Sequence, residues 1–94
     1  MQKIYFVYVL SNSYRTVLYI GVTSDLSNRT RQHTSKTAHS FTSKYKTTDL
    51  IYAETFQYIE HAIQREKQLK GWSRMKKVLY IRKINPLLLT IHNP

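Results

Sequence analysis

The sequence predicts a small α+β domain, a three-stranded antiparallel sheet packed with helices in the order ββαβαα. Three observations carry that reading. Two aromatic and β-branched runs, IYFVYVL and VLYIGV, flank a turn-rich SNSYRT, as the strands of a hairpin do. A third such run, LIYAETF, stands alone between stretches of helical period. The chain has 94 residues, enough for one core and therefore one domain spanning 1–94, with about 87–94 left as a short C-terminal tail.

Each element has a local reason. Ile4 to Leu10 is apolar and β-branched, the composition of a buried strand, and Val17 to Val22 is its hairpin partner. Thr23-Ser24-Asp25 offers N-cap oxygens, so a helix runs from about Asp25 to Lys36. Thr37 to Thr48 is polar, basic and rich in Ser and Thr, and reads as a loop. Leu50 to Phe56 is the third strand. Ile59 to Lys70 is helical in period, with Gly71 at the position of a left-handed C-terminal cap. Ser73 caps a last helix through about Lys83, stopped by Asn85-Pro86. The tail LLLTIHNP is apolar and packs on the core or on another copy.

Composition narrows function. With no cysteine there is neither a disulfide framework nor a cysteine-based zinc site, which is consistent with a cytoplasmic protein. The N-terminal apolar run is too short to span a membrane and lacks a small-residue cleavage site. Fifteen Lys and Arg against five Asp and Glu leave a net charge of +10. A domain this basic attracts polyanions, nucleic acid first and an anionic membrane surface second.

Spacing then singles out side chains. At 100° per residue, Ile59, Ala62, Ile63 and Leu69 define an apolar face, and Glu66 falls near its middle. A carboxylate there is costly unless paired or bound to metal. Lys70, four residues on, offers the ion pair, and a divalent cation is the alternative. In the first helix Leu26, Arg29, Thr30 and His33 share one side, so Arg29 and His33 stack one turn apart. Facing the core, Arg29 needs an anion; facing solvent, it needs nothing. In the second strand Tyr19 and Gly21 share a face, and the glycine clears space for a close approach beside Tyr19.

These residues carry a resemblance. FVY at Phe6–Tyr8, YIG at Tyr19–Gly21, then Arg29, His33 and Glu66 resemble the GIY-YIG nuclease domain. The chain is most similar to the small stand-alone bacterial members, which are like the N-terminal domain of excinuclease C. VYVL, LYIGVTSDLSNR, FTSKY, AIQREKQLKGWSRMKK and INP carry the likeness from about Tyr5 to Pro86. Arginine ten residues after Tyr19, histidine fourteen after it, and then a helical glutamate make a specific combination.

The resemblance implies metal-dependent hydrolysis of DNA phosphodiesters. By it, Tyr8 and Tyr19 are the motif tyrosines, with Tyr19 beside the nucleophilic water as a proposed base. Arg29 matches the arginine on the scissile phosphate. Glu66 matches the carboxylate holding a single divalent ion, Mg²⁺ or Mn²⁺, and His33 stands near the proton transfers as the other candidate base. Phe6 replaces the first motif's glycine, Val22 stands where repair nucleases often carry lysine, and Leu88 and Thr90 stand where the subgroup often has Trp and Asp. Asn85 is the one candidate for a family asparagine; otherwise it terminates a helix.

The remaining basic residues divide into two groups. Arg65, Lys67, Lys70, Arg74, Lys76 and Lys77 surround KGW, and Lys44 and Lys46 sit in FTSKYK. All are candidates for phosphate contacts, which position DNA without reading its sequence. Trp72 is expected in the core, with stacking on an unpaired base as its alternative. No added recognition domain is visible, so the enzyme is expected to select DNA structure, with a partner protein as a source of further specificity. The competing reading is a nucleic-acid-binding module of the same fold with weak or lost catalysis.

Overall fold

The computed structural model describes residues 3–34 and 45–92, with residues 32–34 described by backbone alone. Lys44 and the His33 side chain therefore lie outside the described residues, as does the expected end of the first helix at Lys36. The elements follow the order ββαβαα: β1 (Tyr5–Ser11), β2 (Leu18–Thr23), α1 (Leu26–Thr34), β3 (Asp49–Phe56), α2 (Ile59–Gly71) and α3 (Arg74–Arg82).

The sheet is antiparallel in the order β2-β1-β3, so β1 is its centre. That is where the longest apolar run belongs, and Val7, Val9 and Leu10 are fully buried. Val9 pairs with Tyr52 but Leu10 pairs with Leu50, so Ile51 is an extra residue in β3. This bulge puts Leu50 with Tyr8 and Leu10 in one apolar cluster, and Ile51 with Val7, Val9 and Tyr52 in the other. Helices α2 and α3 cover the second cluster through Ala62, Leu69 and Ile81, and Leu26 of α1 packs on the first.

The caps are partly as expected. Asp25 Oδ1 accepts from the Asn28 amide at 3.1 Å, and Ser73 Oγ accepts from the Lys76 amide at 3.2 Å. Gly71 differs. It is the last helical residue and its φ is not positive, while Trp72 leaves in extended conformation. The chain passes directly from α2 to the Ser73 cap of α3, which leaves no place for a left-handed residue between them.

The tail packs against the rest of the same chain. The Ile91 amide donates to the Leu50 carbonyl at 2.7 Å, along the edge of β3 that β1 does not use. Asn85 Nδ2 donates to the Ile51 and Leu89 carbonyls, both at 2.8 Å, and its Oδ1 accepts from the Leu89 amide at 3.0 Å. Asn85 thus joins the end of α3, the bulge and the tail. Arg15, in the β1–β2 turn, donates to Asp49 Oδ2 at 2.7 Å and to the Leu88 carbonyl and Thr90 Oγ1 at 2.8 Å. Local sequence gives no sign of this role for Arg15, because Asp49, Leu88 and Thr90 lie 34 to 75 residues away.

Candidate active site

Tyr8 stands at the middle of the central strand, 2% exposed. Its cross-strand partners are Gly21 on β2 and Ala53 on β3, small residues on both sides of a large ring. A Cβ built on Gly21 would stand 2.5 Å from Tyr8 Oη and 2.6 Å from Cζ. The space that glycine opens is therefore filled by Tyr8 from the neighbouring strand, not left open beside Tyr19. Ala53 went unnoticed in the sequence because one small residue in a strand has no signal until its partner is known.

The Tyr19 ring lies 6.3 Å from the Tyr8 ring, tilted by 39°. Burial pushes the Tyr8 phenol far above its ordinary range, and Tyr19 adds to the shift by charge and by a side-chain hydrogen bond. Arg29 pulls in the opposite direction and Glu66 pushes the same way. Both side chains are thus within electrostatic range of this one phenol. The Tyr8 phenol is therefore held in its protonated form at neutral pH. Leu26, 6% exposed, anchors α1 on the Tyr8 cluster. Arg29, one turn further on, stays exposed.

Glu66 lies on α2 between the buried Ala62 and Leu69, by 4- and 3-residue spacing. The expected apolar face is narrower than its sequence pattern. Ile59 and Ile63 are 42% and 39% exposed, because α2 meets the sheet along the line of Ala62, Glu66 and Leu69. The Glu66 side chain is 21% exposed, and Lys70 Nζ approaches its Oε2 at 3.3 Å. Lys70 is itself 54% exposed, so that bond is readily exchanged with water. Among the described residues no three His, Cys, Asp or Glu cluster as a metal site. A single half-buried carboxylate suits a hard ion that keeps most of its water, as Mg²⁺ does, and does not suit zinc.

The basic candidates separate. Arg65 Nε faces Glu54 Oε1 at 3.4 Å, and its guanidinium lies 5.5 Å from the Tyr80 ring centre. Glu54 Oε2 also accepts from the Tyr80 hydroxyl at 3.0 Å and from the Tyr52 hydroxyl. Arg65 therefore joins α2 to β3 and α3. Trp72 packs edge-on against Tyr80 at 5.2 Å, with Lys76 Nζ 4.5 Å from its ring centre. Trp72 is partly buried against the apolar cluster that holds Val7 and Val9. Arg74 donates to the Arg15 carbonyl. Lys46, Lys67 and Lys70 are exposed, and Lys77 is partly buried.

A family model of the GIY-YIG catalytic domain matches residues 4–79. The chain belongs to the GIY-YIG family. GIY-YIG is a nuclease family whose members are generally endonucleases and generally use a divalent metal. A UPF0213 protein of Bacillus pumilus is 39% identical over 64 residues, covering 68% of this chain and 65% of that one. The match thus spans just under two thirds of that relative's length. The UPF0213 protein NP_0776A of Natronomonas pharaonis is 34% identical over 73 residues, covering 78% of this chain and 85% of its own. The solution structure of the UPF0213 protein BH0048 from Bacillus halodurans superposes with a TM-score of 0.59 at 25% identity. That likeness covers 89% of this chain and 88% of the other, so the shared fold extends over nearly the whole chain.

Proposed function

We propose that this chain is a divalent-metal-dependent endonuclease that hydrolyses DNA phosphodiester bonds, selects DNA by structure and works in the cytoplasm. One observation carries the reading: Tyr8, on the central strand, has Tyr19, Arg29 and Glu66, from three other elements, within contact or electrostatic range. Packing alone gives no reason to bring an arginine and a glutamate to a buried tyrosine and its half-buried neighbour.

Each group has a role set by its chemistry. Phosphodiester hydrolysis builds negative charge on the phosphoryl oxygens. Arg29, exposed and always charged, stabilises it with charge-assisted hydrogen bonds. Tyr19 positions the attacking water and takes its proton, with His33 as the alternative base. Tyr8, kept protonated by burial, holds Tyr19 in place by a hydrogen bond. Glu66 would hold the divalent ion, its ion pair being to the exposed Lys70. An ion bound there would supply Lewis-acid stabilisation of the leaving oxygen. Lys46, Lys67, Lys70, Arg74, Lys76 and Lys77 draw DNA in through its phosphates.

The test is a panel of duplex, flap, branched and single-stranded DNAs with Mg²⁺, with Mn²⁺ and with chelator. Metal-dependent cutting of branched or flap DNA is expected, lost in Glu66→Ala with DNA affinity retained. A well-folded protein that binds every member and cuts none would establish the binding-module reading. If Glu66→Ala lowers the melting temperature but still cuts, Glu66 is only the partner of Lys70.

A further inference from the structure

Two depressions adjoin at the N-terminal end of β1. One, of about 350 Å³, is lined by Lys3, Tyr5, Val22, Arg29 and Ile59, with Thr23 and Ser24 at its rim. The other, of about 170 Å³, shares Lys3 and Tyr5 and continues to Gln57 and Tyr58. Together they form a trough from Arg29, at the proposed scissile phosphate, to an aromatic ring that is 58% exposed. Among the described residues none of those lining it is acidic. Tyr58 precedes α2 yet makes no side-chain cap bond, and its ring stands 5.4 Å from the His61 ring in an edge-to-face arrangement. Neither helix capping nor core packing accounts for a large aromatic ring left in water there.

We infer that this trough is a subsite for an unpaired nucleotide next to the scissile phosphate. Lys3 meets the adjoining phosphate, and the base stacks on Tyr58 over the apolar floor of Tyr5, Val22 and Ile59. The larger depression falls within the range of small-ligand sites, roughly 300–1,000 Å³. Cation and aromatic ring side by side are the chemistry that binds single strands without reading sequence, because every base has a π-face. In a duplex those faces are covered by neighbouring bases, so only a frayed, flapped or branched strand can enter. The inference rests on the nuclease reading for the phosphate at Arg29, and it supplies a physical source for structure selectivity.

Binding without metal tests it apart from cleavage. Fluorescence anisotropy compares a labelled oligothymidine with a blunt duplex of equal length, in chelator, for the full chain and for Tyr58→Ala, Tyr58→Phe and Lys3→Ala. The ratio of single-strand to duplex affinity should fall about tenfold in Tyr58→Ala, the scale of one base–aromatic stack. It should return in Tyr58→Phe, which keeps the ring. Lys3→Ala should weaken single-strand binding and flatten its salt dependence. A ratio unchanged in Tyr58→Ala, or lost equally in Tyr58→Phe, overturns the subsite. Because no metal or turnover is involved, an inactive nuclease leaves this result readable, and active cutting with an unchanged ratio sinks the subsite alone.

Discussion

At Gly21 a methyl group has nowhere to go, since its carbon would stand 2.5 Å from Tyr8 Oη. Tyr8 cannot yield easily, being 2% exposed between Gly21 and Ala53. Gly21→Ala should therefore cost about 1–3 kcal/mol, the usual scale of overpacking. In a Tyr8→Ala background the same substitution should cost far less. Urea unfolding of the four proteins of that cycle measures the coupling, and additive costs would remove the steric argument. Tyr19 is open to a different test, because Tyr19→Phe keeps the ring and removes only the hydroxyl. If Tyr19 is the base, single-turnover cleavage should drop roughly 10²-fold or more, and one ionisation should leave the pH–rate profile. If that ionisation leaves instead with His33→Ala, while Tyr19→Phe stays active, Tyr19 is a packing residue.

Among the elements, the C-terminal tail depends on Asn85. Its amide makes three hydrogen bonds, to Ile51 on β3 and to Leu89 in the tail. Those bonds give Asn85 a structural use. Asn85→Ala orphans the Ile51 carbonyl and loosens the tail, so stability should fall by about 1–3 kcal/mol. DNA affinity should hardly change. A thermal melt beside a binding isotherm separates the two: a normal melt with weakened binding would return Asn85 to the DNA surface. Arg65 follows the same logic, because its contacts with Glu54 and Tyr80 place it between three elements.

On the scale of the whole molecule, charge dominates. With a net charge of +10 on 94 residues, association with DNA should be a counterion-release process. Each neutralised phosphate should add about 0.9 to the slope of log affinity against log salt on duplex DNA. Reversing Lys76 and Lys77 should lower affinity by similar factors on unrelated sequences. The expected shallower slope is read by titrating both proteins across a salt series; a flat response in the parent would mean that charge is not what holds DNA.

Most of the architecture was legible in residue order, because strand and helix periods, caps and turn residues are local. Ile4 to Leu10 was readable as a buried strand from composition alone, and Ser73 as a cap from chemistry alone. The +10 charge and the Tyr19, Arg29, Glu66 spacing were likewise present in the chain itself. Tertiary structure decided what depends on partners distant in sequence. Strand register showed that Gly21 serves Tyr8, and seating α2 on Ala62 and Leu69 left Ile59 and Ile63 exposed. It put Arg65 on Glu54, Asn85 on the β3 bulge, and Lys3 and Tyr58 along one trough. Periodicity states which side of an element a residue occupies; only packing states what stands opposite.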